Sequence, residues 1–328
     1  MSNITRRAAL VGAAAAGAAG TLPTPASAQA AAPAAGRQAA GFYRYKIGDY
    51  EVTTINDGVR HDKLERSPYP NAKLEDVQAA LRANFLPTDQ MSIPFNTTLV
   101  NTGSKLVLLD TGNGPGRSPA TGLVAGNLAA AGVDPKAIDT VVISHFHGDH
   151  IGGLRTADGQ LAFPNAEIKV PAKEWAYWLD DANMNRAPEG SGLANNHRNV
   201  RRIFAGLADK VTRYEWGSEV APGITTLDTN GHTPGHTSFL VASGPGKLIV
   251  QADVTAHIAI LFVRNPEWNA GGDMDRPQAV ATRRKLYDML ATDRILLSGY
   301  HLPFPAAGYI EKDGTGYRFT PVAWSPTL

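Results

Sequence analysis

Short apolar stretches separated by turn residues run along the chain from residue 42 onward. Alternating or continuous apolar residues predict strands, and these cover residues 43–47, 50–55, 97–101, 105–110, 140–144, 166–170, 224–227, 238–241, 247–251 and 294–297. Apolar residues at helical spacing predict helices, and these cover residues 74–83, 121–131, 173–179, 198–207 and 277–290. Two strand-rich halves, each followed by helices, indicate a layered α/β sandwich in a single domain.

The first 28 residues have the pattern of an export signal. Arg6 and Arg7 precede an Ala/Gly-rich apolar run over residues 8–20, and Ala26-Ser27-Ala28 is typical of a cleavage site. The paired arginines resemble a twin-arginine signal; the alternatives are a disordered tail and a membrane anchor, but the run is too short to span a bilayer. We expect a periplasmic or secreted protein without a stable membrane anchor, with a signal peptide at 1–28, a flexible lead-in at 29–41 and a folded domain at 42–328.

Composition narrows the chemistry open to this chain of 328 residues. Because it has no cysteine, it cannot use disulfides, Cys-ligated zinc, iron–sulfur clusters or a thiol nucleophile. The 31 Lys and Arg residues nearly balance the 30 Asp and Glu residues, so no overall basic field indicates nucleic acid as a partner. Any reaction must therefore use His, Asp, Glu, Ser, Lys or Tyr side chains.

A dense group of candidate metal ligands follows the apolar strand predicted at 140–144. The segment His145-Phe146-His147-Gly148-Asp149-His150 carries three imidazoles and one carboxylate within six residues. Gly148 allows a tight turn, and a loop can direct alternate side chains to one point. Imidazole and carboxylate ligands suit zinc and, in similar geometry, manganese, cobalt or iron. The segment therefore predicts a metal-binding loop rather than a solvated polar loop.

Three further polar segments lie at the ends of predicted strands. They are Gly231-His232-Thr233-Pro234-Gly235-His236 after the strand at 224–227, Gln251-Ala252-Asp253 at the end of the strand at 247–251, and Ser298-Gly299-Tyr300-His301 after the strand at 294–297. Taken alone, each segment is about as compatible with a capping Asp or a surface His as with a metal ligand. Because strand ends deliver residues to one rim of a sheet, the segments together favour a shared site.

With these motifs in this order, the chain resembles the metallo-β-lactamase superfamily of metal-dependent hydrolases over nearly all of residues 43–328. Segments 41–44, 99–108, 161–166 and 316–319 are similar to the methyl parathion hydrolase branch, beside the quorum-quenching N-acyl-homoserine lactonases. The resemblance implies an αββα sandwich of one domain with the metals at one edge. Asp253 stands where the lactonase and phosphotriesterase branches carry an acid and true β-lactamases do not. His147 stands where diiron relatives usually carry Glu, which favours hydrolysis over redox chemistry.

The resemblance assigns roles residue by residue. Seven side chains are the expected ligands of two ions: His145, His147 and His236 for one, Asp149, His150 and His301 for the other, and Asp253 between them. Asp149 and Asp253 are accordingly the expected catalytic carboxylates. Behind the ligands, Asp110 would orient a ligand histidine, with a turn-capping role as the alternative. His232 would be structural, or would support a ligand, rather than serve as an eighth ligand.

The expected reaction is hydrolysis. Two cations about 3.5–4 Å apart lower the pKa of a shared water enough to give a hydroxide nucleophile near neutral pH. Zinc is the expected metal, with manganese, cobalt and iron left open. We expect cleavage of lactones or aryl esters together with phosphotriesterase activity. The alternatives are an organophosphate triester hydrolase and a non-enzymatic metal-binding protein of the same fold. The expected partner is therefore a small-molecule substrate. The resemblance to related proteins leaves open whether the chain forms a homodimer.

The substrate pocket is less defined in the sequence. Four side chains are candidates: Arg117, Trp178, His257 and Phe262. Aromatic residues at such positions more often belong to the core, and for His257 a packing role at the rim is favoured over substrate contact. Arg117 replaces an apolar aromatic residue of related phosphotriesterases, which argues against efficient binding of apolar aryl phosphotriesters. His61 and His197 are expected to be ordinary surface residues.

Overall fold

The computed structural model describes residues 34–36 and 38–328. The expected signal peptide and part of the lead-in lie outside these described residues. One folded unit extends from Ala40 to Leu328. None of the described helices is both long and apolar enough to cross a membrane.

The described part of the chain contains fourteen strands. They are β1 (Phe42–Ile47), β2 (Tyr50–Lys63), β3 (Gln90–Asn101), β4 (Leu106–Leu109), β5 (Thr140–Val142), β6 (Glu167–Pro171), β7 (Val211–Tyr214), β8 (Glu219–Ala221), β9 (Ile224–Asp228), β10 (Thr237–Ser243), β11 (Gly246–Val250), β12 (Leu296–Ser298), β13 (Ala307–Asp313) and β14 (Gly316–Pro321).

Eight α-helices accompany the strands in the same described residues. They are α1 (Leu74–Ala83), α2 (Val124–Ala130), α3 (Gly148–Ile151), α4 (Ala172–Trp178), α5 (Asp181–Arg186), α6 (Gly192–Phe204), α7 (Ala259–Arg264) and α8 (Arg276–Asp293). Side-chain caps start the two longest helices. The Ser191 hydroxyl accepts the Ala194 N–H before α6, and the Asp275 carboxylate accepts the Gln278 N–H before α8, which satisfies backbone donors that the first helical turn leaves free.

The strands form two seven-stranded sheets. The first has the order β1-β2-β3-β4-β5-β6-β7, and the second has the order β14-β13-β12-β11-β10-β9-β8. β4 to β7 are parallel neighbours, with Leu109 opposite Val142. In the second sheet β11 and β12 are parallel, with Val250 opposite Ser298, and the other neighbours are antiparallel. β9, β11 and β12 therefore run in one direction and end at one edge.

The two faces of each sheet contact different parts of the core. Val107 packs into the cluster between the sheets, whereas the next residue, Leu108, packs with the cluster that contains α2, α4 and α6 side chains. Phe239 likewise points between the sheets, and Leu240 packs with the cluster formed by α7 and α8. This alternation follows from the two-residue period of a strand. The order of layers is helix, sheet, sheet, helix, so the predicted αββα sandwich is confirmed.

Several element predictions need correction. The strand expected at 140–144 ends at Val142, because the chain turns there toward the histidine-rich segment. The helix expected at 198–207 begins six residues earlier, at Gly192. β7, β8, β13, β14 and the short helices α3, α5 and α7 were not predicted. Two of the missed strands, β7 and β14, have half of their residues exposed and lie at the outer edges of their sheets, where apolar patterning is weakest.

Candidate metal centre

Four segments bring polar side chains to one end of the sandwich. The segment 145–150 follows β5 of the first sheet, and His232, Asp253 and His301 follow β9, β11 and β12 of the second sheet. The three strands of the second sheet run in the same direction, so the segments after them emerge at the same edge. The site is thus assembled from both sheets, in agreement with the expectation of a shared rim.

The first ligand cluster contains His145, His147, His232 and Asp253, whose ligand atoms all lie within 4.8 Å of one another. Nδ1 of His147 is 2.9 Å from Nε2 of His232. The same His232 nitrogen is 3.4 Å from Oδ2 of Asp253. Three imidazoles and one carboxylate at this spacing form a donor set that suits zinc.

The second ligand cluster contains Asp149, His150, Asp253 and His301, again with ligand atoms within 4.8 Å. Nε2 of His301 is 3.2 Å from Oδ2 of Asp253 and 3.7 Å from Oδ2 of Asp149. Nε2 of His150 is 3.2 Å from Oδ1 of Asp253. Asp253 therefore belongs to both clusters, and its two oxygens face different histidines.

The buried polar atoms of these clusters fit metal ions. Among the described residues, Nε2 of His145, Nε2 of His150 and Oδ1 of Asp253 are buried without a hydrogen-bond partner. Buried polar atoms are nearly always hydrogen-bonded, and leaving one unpaired costs about 1–3 kcal/mol. The three unpaired atoms here belong to His and Asp side chains, two residue types that bind metal cations. The donor set and the unpaired atoms together fit a pair of divalent ions.

The structure and the sequence prediction differ in which histidine of the segment 231–236 joins the clusters. Of the seven expected ligands, the structure brings together six: His145, His147, Asp149, His150, Asp253 and His301. The seventh position in these clusters is filled by His232 and not by His236. Both ring nitrogens of His236 face protein groups, because Nε2 accepts the N–H of Asp253 at 2.9 Å and Nδ1 lies 2.9 Å from the carbonyl oxygen of Thr229. In this arrangement His236 lies beside the clusters, against the backbone of Asp253.

A carboxylate that the sequence analysis missed orients His232. Oδ1 of Asp273 lies 2.8 Å from Nδ1 of His232, which leaves Nε2 directed at the cluster. Burial lowers the pKa of His232, but the carboxylates of Asp253 and Asp273 outweigh burial and raise that pKa to about 9. By contrast, burial and the neighbouring His232 lower the pKa of His147 to about 3. A carboxylate behind a histidine is the usual arrangement at metal sites, where it fixes the orientation of the ring.

The other ligands are oriented in the same way. Oδ2 of Asp110 lies 2.8 Å from Nδ1 of His150, as expected for a residue behind a ligand. Asp110 also accepts the backbone N–H and the hydroxyl of Ser144, and it adopts a φ of 62° in the left-handed region. Nδ1 of His301 donates to the carbonyl oxygen of Pro94 at 2.8 Å. Each of these bonds leaves the opposite ring nitrogen, Nε2, to the cluster.

Comparison with known proteins places the chain in a family. The family model described as the metallo-beta-lactamase superfamily matches residues 94–296. The chain belongs to the metallo-β-lactamase superfamily. The match includes the segments that carry His145, His232 and Asp253, and it ends before His301.

Individual members of the superfamily are similar over different lengths. An N-acyl homoserine lactonase of Bacillus sp. is 26% identical over 200 residues, which cover 54% of this chain and 71% of that protein. The structure of AidC, a dizinc quorum-quenching lactonase, is similar with a TM-score of 0.78 and 28% identity, over 87% of this chain and 98% of that chain. The hydrolase AbOPH has a TM-score of 0.81 and 29% identity, over 88% and 100% of the two chains. Among eight curated relatives, the chain spans 40% to 71% of each protein's length.

The candidate pocket residues occupy different positions in this metallo-β-lactamase fold. The ring of Trp178 is buried with its centroid 6.1 Å from that of His147. Arg117 is exposed, and its guanidinium lies against Gly148 in the metal-binding loop. Both residues therefore adjoin the first ligand cluster, where a pocket was expected.

The other two pocket candidates are a half-buried histidine, His257, and a fully buried phenylalanine, Phe262. His257 adopts a φ of 56°, and its Nδ1 is a buried atom without a hydrogen-bond partner among the described residues. Burial and the charge of nearby histidines, His301 foremost, lower the pKa of His257 to about 4. Phe262 is fully buried, packs edge-to-face on Tyr69 at 5.0 Å and lies under the guanidinium of Arg283. The structure thus places Phe262 in the core.

The two histidines expected at the surface differ from each other. His61 is exposed and lies 2.9 Å from the hydroxyl of Ser92. His197 is fully buried, which corrects the prediction; its Nδ1 donates to the carbonyl oxygen of Trp178, and the two rings are 4.7 Å apart. The early start of α6 explains this difference. A helix from Gly192 places His197 on the same buried face as Ala194 and Val200.

Proposed function

We propose that this protein is a dinuclear metal-dependent hydrolase that opens lactones or cleaves aryl esters. The observation that carries the proposal is the shared carboxylate of Asp253, which joins two clusters of metal-ligating side chains. The names of similar proteins support the same class, because they include N-acyl homoserine lactonases and a dizinc quorum-quenching lactonase. The substrate class is proposed from these two lines together.

The proposal assigns each cluster to one ion. His145, His147 and His232 would hold the first ion, and Asp149, His150 and His301 would hold the second, with Asp253 between them. Zinc is the proposed metal, since imidazole and carboxylate ligands suit it. When bound, such a pair supplies a water molecule that ionises near neutral pH and a positive charge that polarises the carbonyl of the substrate. The participation of a bridging hydroxide remains the prediction made from the sequence.

The protein's own residues keep the negative charge of Asp253 in a fixed position between the two clusters. Burial alone would raise the pKa of Asp253, but the imidazoles of His301 and His150 outweigh burial and keep that pKa well below its usual value. Asp253 therefore stays ionised in a buried position. The ring of Tyr300 stacks on His150 with centroids 3.9 Å apart, and its hydroxyl donates to the carbonyl oxygen of Asp149. Tyr300 thereby fixes the turn that presents both ligands.

The experiment compares kcat/KM for three substrates on one zinc-loaded preparation: an N-acyl homoserine lactone, an aromatic lactone and a methyl phosphotriester. We expect either lactone to react faster than the phosphotriester by orders of magnitude, and a chelated aliquot to lose the activity. A faster phosphotriester would instead support the organophosphate hydrolase alternative. Two bound zinc ions without turnover of any ester would support the non-enzymatic alternative and overturn the proposal.

The location of the protein is proposed from the sequence alone. Residues 1–28 would direct export to the periplasm or beyond, on the strength of the paired Arg6 and Arg7. Fractionation of cells that produce the wild type and the double variant Arg6→Lys, Arg7→Lys tests this. The wild type should be found outside the cytoplasm, and the variant should be retained inside.

A further inference from the structure

A buried glutamate lies between the two segments that supply the first ligand cluster. Glu174 is on α4, on the outer side of the first sheet, and its side chain has 0% exposure. No Lys, Arg or His forms an ion pair with it among the described residues. A buried carboxylate without a cation needs several hydrogen-bond donors to offset the loss of hydration, and burial raises the pKa of Glu174.

The donors to Glu174 come from three separate segments. Its Oε2 accepts the backbone N–H of Phe146 at 2.9 Å and the indole N–H of Trp178 at 2.7 Å. Its Oε1 accepts the backbone N–H of Gly235 at 2.7 Å. Each carboxylate oxygen therefore binds a different backbone segment, while Trp178 is held beside them.

Two of these donors lie within the ligand-bearing segments themselves. Phe146 is the residue between His145 and His147, and Gly235 is three residues after His232. One carboxylate thus connects a segment that follows the first sheet to a segment that follows the second. The approach is close, because a Cβ at Gly235 would lie 2.6 Å from the backbone nitrogen of Glu174. Only glycine fits there without displacement.

Among the described residues, few other hydrogen bonds join these two segments. The N–H of Thr237 donates to the carbonyl oxygen of Ser144 at 3.1 Å, one residue before the ligand His145. Nε2 of His232 and Nδ1 of His147 are 2.9 Å apart. In the proposed function, however, these nitrogens would bind the metal. In the absence of metal, the Glu174 carboxylate is therefore a main connection that holds the segments at this spacing.

We propose that Glu174 is a positioning residue, which sets the spacing between the His145–His147 segment and the His232 segment and so preorganises the first metal site. The inference rests on the proposed function, since it assumes that this cluster binds an ion. Glu174 does not contact the ligand atoms, and its effect passes through the backbone of Phe146 and Gly235. The second site takes Asp149, His150 and His301 and depends on Glu174 much less.

The test replaces the acceptor on one side only. In Glu174→Gln, the amide oxygen can still accept from one segment, but the amide nitrogen then faces an N–H donor of the other segment. We expect zinc affinity at the first site to fall about 10- to 100-fold, as is usual when a group behind a ligand is lost. Affinity at the second site should stay within about threefold of the wild type, since its ligands are oriented by Asp110 and Pro94.

The two sites are told apart spectroscopically. Metal-free protein is titrated with cobalt(II) and with zinc against a chromophoric chelator. His232→Ala and His301→Ala, each missing one ligand, identify the cobalt absorption bands of the first and the second site. Glu167→Gln is the matched control, because Glu167 is exposed on the preceding strand β6 and contacts neither ligand segment. This control should bind both ions as the wild type does.

A second measurement uses the wild type and so does not depend on the folding of a variant. In folded, metal-free protein, the amide hydrogens of Phe146 and Gly235 should exchange with solvent as slowly as those of buried strands. Free exchange of both amides, or wild-type affinity at both sites in Glu174→Gln, overturns the role of Glu174. A wild type that binds two zinc ions but hydrolyses no ester overturns the proposed function alone, and the affinity test of Glu174 then still stands.

Discussion

The structure brings His232 into the first ligand cluster, whereas the sequence predicts His236 there. A pair of variants tests this difference. The perturbation is the pair of variants His232→Ala and His236→Ala, which truncate two histidines of the same segment. The first removes an imidazole whose Nε2 faces His147 and Asp253. The second removes an imidazole whose Nε2 accepts the Asp253 N–H. The two variants should therefore differ in kind.

The size of each effect follows from the contacts. Zinc sites with four protein ligands bind zinc with a free energy of about 10–16 kcal/mol. Shared equally, this is about 2.5–4 kcal/mol for each ligand. Loss of one ligand then lowers zinc affinity by about 10²- to 10³-fold, since about 1.4 kcal/mol corresponds to a tenfold change. His232→Ala should weaken the first site by this factor. His236→Ala leaves the buried N–H of Asp253 without its acceptor, which should lower the free energy of unfolding by about 1–3 kcal/mol.

The assay measures bound zinc by elemental analysis after equilibration at a buffered free zinc concentration about tenfold above the wild-type dissociation constants of both sites. We expect about one equivalent in His232→Ala and two in His236→Ala once free zinc is saturating for the wild type. Thermal unfolding of both metal-free variants controls for loss of structure. If His236→Ala loses a zinc ion and His232→Ala keeps both, the assignment made from the structure is wrong and the one made from the sequence is right.

Three other substitutions test the site, with one control. Asp253→Ala should lose at least one zinc ion and most turnover while circular dichroism shows a folded protein; two tightly bound ions with an unchanged rate would contradict its shared position. Asp110→Asn should weaken zinc binding at the second site about 10- to 100-fold, because the Asp110 carboxylate orients His150. An unchanged zinc affinity in a chelator titration would argue against this role of Asp110. Arg117→Leu should change KM more than kcat for lactones or phosphotriesters, and no change for either would exclude contact with substrate. His61→Ala should leave the zinc content and kcat/KM unaltered.

Sequence reasoning located the metal centre because most of its ligands are close together along the chain. Four of the six residues at 145–150 belong to the two ligand clusters, and residues 141–143 before them are all apolar, so both the position and the chemistry were readable. Asp253 and His301 lie far away in sequence. They were placed correctly near the centre only because strand ends meet at one edge and because the resemblance supplied their order.

The sequence could not decide which histidine of the segment 231–236 joins the ligand clusters. Both histidines lie in one loop, and the groups that orient their rings lie outside the segment 231–236. Asp273 is 41 residues away from His232, and Thr229 carries the carbonyl group that faces His236. Glu174 was missed for the same reason, since two of its three donors are backbone groups that show no signal in the sequence. Only the four-residue spacing of Glu174 and Trp178 on one helix gave a hint of their contact.

The assembly of the centre from both sheets has a consequence for the folding of the whole domain. Ligands that follow β5 belong to the first sheet, and those that follow β9, β11 and β12 belong to the second. The proposed pair of ions would therefore be a reversible cross-link between the two layers. Since neither layer alone carries a full set of ligands, the metal would bind the native state in preference to the unfolded chain. Each tenfold rise in free zinc above the dissociation constant would then add about 1.4 kcal/mol per site to the free energy of unfolding, so the proposed metal would link the stability of this fold to the zinc concentration around it.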